Sequence, residues 1–171
     1  MNVSITPAED DTLITNLFQY YLYDMSEYTG FQPDASGSFA VDNSVTGLQD
    51  YWQEPNHFPY LIRVDEELAG FALVRQFPKG SGQYDMGQFF VMRKFKRQGV
   101  GSRAFQQCVA RHPGPWQTRV LPDNTGALAF WKKTIGEVCG NNLQIKSEPY
   151  RNRDMLFIRY VVPVGASSAG L

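Results

Sequence analysis

The chain has 171 residues, of which 43% are hydrophobic, with sixteen Lys and Arg against seventeen Asp and Glu. That length supports one well-buried core and is short for two, so a single domain over residues 1–164 is expected, followed by a flexible tail over 165–171. No apolar run approaches the roughly 18 residues of a membrane span, no basic-then-apolar leader opens the chain, and the basic residues form no long stripe or tail, which argues against membrane and nucleic acid as partners. Cys108 and Cys139 lack metal-ligand spacing and make a poor disulfide framework. Reduced thiols in a cytoplasm, and no metal, are therefore expected.

Thr6-Pro7-Ala8-Glu9 has the composition of a helix start, with Thr6 as cap and Pro7 at the first position. Leu13, Ile14, Leu17, Phe18, Tyr21, Leu22 and Met25 then recur every three or four residues, as one face of an amphipathic helix does. Tyr28 to Asn43 is rich in Gly, Ser, Asp and Pro without periodicity and reads as a loop. Val45, Leu48, Tyr51 and Trp52 predict a short second helix, weakened by Gly47 and ended before Pro55. Residues 58–64 and 68–77 are apolar and β-forming, and Asp65-Glu66-Glu67 between them makes an antiparallel hairpin. A further strand is expected from about Tyr84 to Met92. After a glycine turn, Val100, Ala104, Phe105, Cys108 and Val109 give a helix its apolar face, ended by His112-Pro113-Gly114-Pro115. A strand over about Trp116–Leu121 follows, parallel to the one before the helix through a right-handed crossover. Asn124 or Asp123 caps the next helix, whose Ala127, Leu128, Phe130, Trp131 and Ile135 share a face. Leu143–Ser147 and Met155–Val162 complete the set as a closing pair of strands.

The most informative stretch joins strand to helix: the apolar run Phe89 to Met92, the basic segment Arg93 to Arg97, then Gly99-Val100-Gly101-Ser102. The first backbone amides of a helix lack internal partners and point outward, and the helix dipole adds positive potential there. Two glycines would keep Cβ atoms away from an approaching phosphate. Arg93, Lys94, Lys96, Arg97 and Arg103 surround the turn. A phosphorylated cofactor is the expected ligand.

Strand, basic turn, Gly-x-Gly, helix and strand, followed by Asn124-x-x-Ala127-x-x-Phe130-Trp131, resemble the GNAT superfamily of acyl-CoA-dependent N-acetyltransferases. The resemblance covers most of the chain and implies an α/β fold of α+β type. Its central sheet would be mixed and mostly antiparallel, with a parallel pair at the cofactor site and helices on both faces. Two positions depart from the family pattern: Lys96 stands where Arg or Gln is usual, and Trp131 stands where a tyrosine acid is frequent.

The resemblance implies acetyl-CoA as co-substrate, with its pyrophosphate on the amides of about Lys96, Arg97, Gln98, Gly99, Val100, Gly101 and Ser102. The backbone of Phe89, Phe90 and Val91 would pair with the pantetheine arm, an amide near Phe89 would polarise the thioester carbonyl, and Asn124, Phe130 and Trp131 would flank the arm. The acceptor would be a primary amine of a small molecule or peptide, attacking directly. A homodimer is compatible with this scheme. The alternatives are a catalytically silent coenzyme A-binding module of the same fold, or a dinucleotide-binding protein suggested by Gly99-x-Gly101-x-x-Ala104.

An amine acceptor must shed a proton, and the carboxylates in reach are Asp85, on the strand leading to the thioester, Glu27 at the end of the first long helix, and Glu54. His57 is a further candidate base. Charge is distributed unevenly: residues 1–67 hold twelve acids and one base, residues 68–171 fifteen bases and five acids. Asp24, Glu27 and Glu54 are accordingly expected to rim the acceptor mouth and to select a cationic amine.

Overall fold

Seven runs of strand-forming residues assemble into one sheet in a computed structural model that describes residues 1–39 and 42–165. In chain order they are β1 (Val3–Pro7), β2 (His57–Val64), β3 (Glu67–Gln76), β4 (Tyr84–Val91), β5 (Gly114–Val120), β6 (Leu143–Tyr150) and β7 (Arg153–Val162). Across the sheet the order is β1-β2-β3-β4-β5-β7-β6, and only the β4–β5 pair is parallel. The helices are α1 (Thr12–Thr29), the single turns α2 (Asn43–Thr46) and α3 (Asp50–Gln53), α4 (Val100–Arg111) and α5 (Thr125–Cys139). The expected fold class is the one observed.

Strand alternation divides the core into two layers. Ala72, Val74, Met86 and Trp116 face α4 and α5, where they meet Ala104, Phe105, Cys108, Trp131 and Ile135. Phe71, Leu73 and Phe90 face the other way, onto Ile14, Leu17, Phe18 and Leu22 of α1 and Tyr51 of α3. Phe18 stacks on Phe71 with centroids 5.6 Å apart.

Three expectations change. Thr6 and Pro7, expected to open a helix, instead end β1, whose Val3 and Ile5 are buried and whose register runs Val3↔Val64 to Pro7↔Tyr60. The helix begins at Thr12 instead, where Asp10 accepts the Thr12 amide at 2.9 Å. The second helix splits into α2 and α3, because Gly47 at φ +63° closes the first turn in the left-handed region. Of the expected tail, all but Gly165 lies outside the described residues, as do residues 40 and 41 of the loop.

The pairing of β3 with β4 slips between Leu73↔Gln88 and Val74↔Met86, leaving Gly87 as a bulge. A Cβ on Gly87 would lie 2.1 Å from the Tyr51 hydroxyl oxygen, so only glycine lets Tyr51 close on the bulge. On its other side β4 pairs with β5 through Tyr84↔Trp116, Asp85↔Gln117 and Met86↔Thr118 and then stops. The two central strands part at the bulge.

Candidate active site

Backbone accounting locates the opening. The Met92 amide donates to Ala69 O of β3 at 2.8 Å, so strand alternation turns the Phe89 and Val91 amides to the opposite edge, beyond the last β4–β5 pair. There they have no strand to bond. A single 3₁₀ turn, Arg93–Phe95, then leads into α4 through Arg97 at φ +61° and Gly99 at φ +77°. Among the described residues no acceptor is found for the amides of Arg97 to Ser102, and the first backbone bond of this turn runs from Arg103 N to Gly99 O. One concave edge and one helix N-terminus thus present unpaired donors side by side.

The two glycines serve different ends. Gly99 is open around its Cβ position, and its left-handed φ is what favours glycine. Gly101 has an ordinary φ, but a Cβ there would lie 3.0 Å from Phe130 Cζ. Phe130 lies against the helix backbone and stacks on Phe89 at 6.1 Å, while Trp131 meets Phe89 edge-on at 5.1 Å. Trp131 is 7% exposed, and its site is a packed one. Asn124 caps α5, its Oδ1 accepting the Ala127 amide at 3.0 Å, and it also lines the cavity. The Ser102 hydroxyl is shared with Thr134 of α5 at 2.8 Å, and the Gln98 side chain bonds Lys94 O at 2.7 Å, so both contribute to the turn through their backbone. Lys96 and Arg93 are engaged by Asp24, at 3.3 and 2.8 Å. Phe90 points to the α1 face, where it is 6% exposed.

A cavity of about 950 Å³ opens from the parted strands between α1, the β4 bulge, the end of β5, the start of α5 and the β6–β7 turn. Tyr21, Gln88, Phe89, Asn124 and Trp131 line one part, and the Tyr21 hydroxyl donates to Gln88. Burial raises the Tyr21 hydroxyl to about 12, so it remains protonated. Arg75, Arg119, Tyr150, Arg151 and Arg153 line another part.

The acid and base candidates are placed as follows. Asp85 is fully buried, with Oδ2 2.9 Å from Arg75 Nε and Oδ1 accepting Gln117 Nε2 at 3.0 Å, and Arg119 Nη1 lies 3.1 Å from Oδ1. Its carboxylate is occupied by two guanidinium groups. Glu27 is exposed at the end of α1, and Glu54 pairs with Lys79 at 3.8 Å. His57 bonds Pro55 O at 2.9 Å and meets Tyr51 edge-on. Neither these three nor Asp24 lines the cavity, whose one acid among the described residues is Asp42, the cap of α2. The expected acidic rim is therefore absent among the described residues, because Asp24 faces the basic turn rather than the acceptor end.

Arg75, Arg119, Arg151 and Arg153 escaped sequence reasoning. The signal for Arg119 was present: an ionised residue inside the apolar run Trp116–Leu121 has to be paired or put to use.

The GNAT family acetyltransferase model matches residues 21–136, more than half of the chain. The chain belongs to the GNAT acetyltransferase family. Its β4, glycine turn and α4 all fall inside the matched region. No curated protein matches the chain. Among solved structures, an acetyltransferase from Thermus thermophilus aligns with TM-score 0.68 at 12% identity, covering 95% of this chain and 98% of that one. The spermidine N-acetyltransferase from Vibrio cholerae, in complex with coenzyme A and spermine, aligns with TM-score 0.64 at 8% identity over 94% and 95% of the two chains. The ribosomal-protein-S18-alanine N-acetyltransferase from Escherichia coli aligns with TM-score 0.58 at 15% identity over 99% of each. At these identities the likeness is one of fold. The dinucleotide alternative falls, since β4 is reached through an antiparallel hairpin and a 3₁₀ turn separates it from the glycines.

Proposed function

We propose that the protein is an acetyl-CoA-dependent N-acetyltransferase that acetylates a primary amine by direct attack. One observation carries the assignment: the unpaired Phe89 and Val91 amides leave β4 beside the glycine turn, where the Arg97 to Ser102 amides are also unpaired and Gly101 packs close to the Phe89 ring, and Phe89 itself lines the 950 Å³ cavity. The first set fits an amide-bearing arm laid along a strand edge, and the second fits a pyrophosphate at a helix N-terminus. Arg97 and Arg103 add positive charge at the turn. Bound acetyl-CoA supplies a thioester whose carbonyl carbon takes the amine as its C–S bond breaks and the thiolate leaves.

The chain's own residues then do three things. The Phe89 amide donates toward the carbonyl oxygen, where negative charge develops. Phe89, Phe130 and Trp131 form an apolar wall that keeps water from the arm. Asp85 acts as a positioning residue, holding Arg75 and Arg119 at the cavity wall. No unengaged base reaches the cavity among the candidates, so the amine's proton leaves to water. An α-amine of pKa about 7.7–8.0 is neutral in roughly one molecule in ten at pH 7, against roughly one in a few thousand for a lysine-like amine near 10.4. The α-amine is the easier nucleophile here.

The test is an amine screen with acetyl-CoA, followed by release of the free thiol. Turnover of a primary amine supports the proposal. Calorimetric binding of coenzyme A without turnover of any amine would leave a silent binding module as the correct description.

A further inference from the structure

The guanidinium of Arg119 is the unusual group of this cavity. Its side chain is 6% exposed, it lines the wall, and its Nη1 lies within ion-pair distance of Asp85 yet has no hydrogen-bond acceptor of proper geometry. Its plane rests over the Tyr150 ring, 4.3 Å from the centroid, which fixes the group in place. Asp85 is the one carboxylate shared by Arg75 and Arg119, so one positive charge of this buried cluster is left without a counter-charge at the cavity wall.

The surroundings have the same sign. Arg75 gives its Nε to Asp85 and reaches the Tyr150 hydroxyl from Nη2 at 3.5 Å. Arg151 is tied by Nη1 to Val45 O at 2.7 Å, which leaves its charge at the cavity, and the Arg153 side chain makes no hydrogen bond or ion pair among the described residues. Four arginines thus line a space whose lining, among the described residues, holds the single acid Asp42, with Asp85 buried behind Arg75 and Arg119. Burial would raise the Tyr150 hydroxyl, but Arg119, Arg75 and Arg151 together hold it below its ordinary value, as their combined positive charge requires. A polyamine would be repelled from this wall. Arginine presents a planar fork that matches a carboxylate with two parallel bonds.

We infer that the acceptor is a primary amine carrying a carboxylate, which the Arg119–Arg153 wall receives while the amine points to the parted ends of β4 and β5. The geometry supports this orientation: Arg119 follows Thr118, the last β5 residue paired with β4, so the carboxylate site sits at the vertex where the strands separate. This inference rests on the acetyltransferase proposal for the same site. The carboxylate could belong to a free amino acid or to an acidic side chain near a peptide amino terminus, since both present the same group.

Matched pairs test it. Free amino acids are compared with their amino-acid amides, and peptides with aspartate at the second position with the asparagine counterparts, by thermal shift of the coenzyme A-loaded protein and by thiol release, with every kcat/KM referred to the concentration of neutral amine. The carboxylate member of one pair should be at least tenfold better in kcat/KM and should raise the melting temperature where its amide does not. Which pair responds identifies the source of the carboxylate. Arg153→Gln, at an exposed position, and Arg119→Gln should each raise KM for the carboxylate compound several-fold and bring the ratio within the pair toward one. Lys79→Gln, remote from the cavity, should leave that ratio alone. Equal performance of amide and carboxylate, a polyamine as best acceptor, or unchanged ratios in Arg153→Gln would overturn the inference while leaving coenzyme A binding intact. Loss of coenzyme A binding in the wild-type protein would instead remove the acetyltransferase proposal. In that case the thermal shift of the unloaded protein by carboxylate against amide still decides whether the arginine wall takes an anion.

Discussion

Single side chains set the shape of this site, and Gly87 shows how closely. A methyl group there would stand 2.1 Å from the Tyr51 hydroxyl and 3.3 Å from Leu73 O. Gly87→Ala is expected to destabilise the fold by about 1–3 kcal/mol, as overpacked substitutions do. Tyr51→Phe removes the clashing oxygen and only a long 3.5 Å bond to Leu73 O, so the double variant should recover much of that loss. Urea unfolding midpoints of the four proteins check this, and strict additivity would contradict the packing described. His112 offers a pH counterpart. It is 7% exposed with Nε2 2.7 Å from the Tyr60 hydroxyl, and burial, aided by Arg111, lowers it from 6.5 to about 4. The unfolded chain takes up this proton near 6.5 whereas the folded protein resists until about 4, so stability should fall as pH drops through that window. His112→Gln should flatten the slope between pH 7 and pH 4 in urea titrations. At this scale the apolar and glycine positions were legible and Arg119 stood out as a charge in an apolar run, but its partners Asp85 and Tyr150 are brought to it by distant strands.

Elements carry these residues to the site through their ends. The cap of α5 is Asn124, whose Oδ1 takes the Ala127 amide. Asn124→Ala should lower stability by about 1 kcal/mol, the usual worth of a cap, seen as a reduced midpoint in thermal or urea unfolding. Most elements were legible because their periodicity is local: α1, the β2–β3 hairpin, α4 and α5 all announce themselves by spacing within a dozen residues. Strand β1 was not, since five residues give too short an alternation and Thr6-Pro7-Ala8-Glu9 imitates a cap. What makes it a strand is pairing with residues 60–64, which lie far along the chain. The parting of β4 from β5 is of the same kind. It follows from a bulge at Gly87 and from a Tyr51 hydroxyl that no local pattern reveals.

Across the whole molecule, charge is arranged by the fold rather than by position in the chain. The acidic first third does not gather at the acceptor end. Asp24 crosses to the glycine turn to neutralise Arg93 and Lys96, Glu67 pairs with Lys94, and arginines from β3, β5 and the β6–β7 turn converge on the cavity. Asp24→Asn should therefore strengthen coenzyme A binding by a few-fold at low salt, and the gain should vanish near 1 M salt, where screening acts over about 3 Å. Equal affinity of variant and wild type at low salt would show that these cations do not face the cofactor. The central claim is that unpaired amides of the β4 edge and the α4 N-terminus hold coenzyme A. It is tested most directly by titrating coenzyme A into the isotopically labelled protein and following backbone amide resonances. The amides of Phe89, Val91 and Arg97 to Ser102 are predicted to shift together with one saturable dissociation constant while those of β1 and β6 stay in place; saturable shifts confined to other elements, or none, would contradict the account.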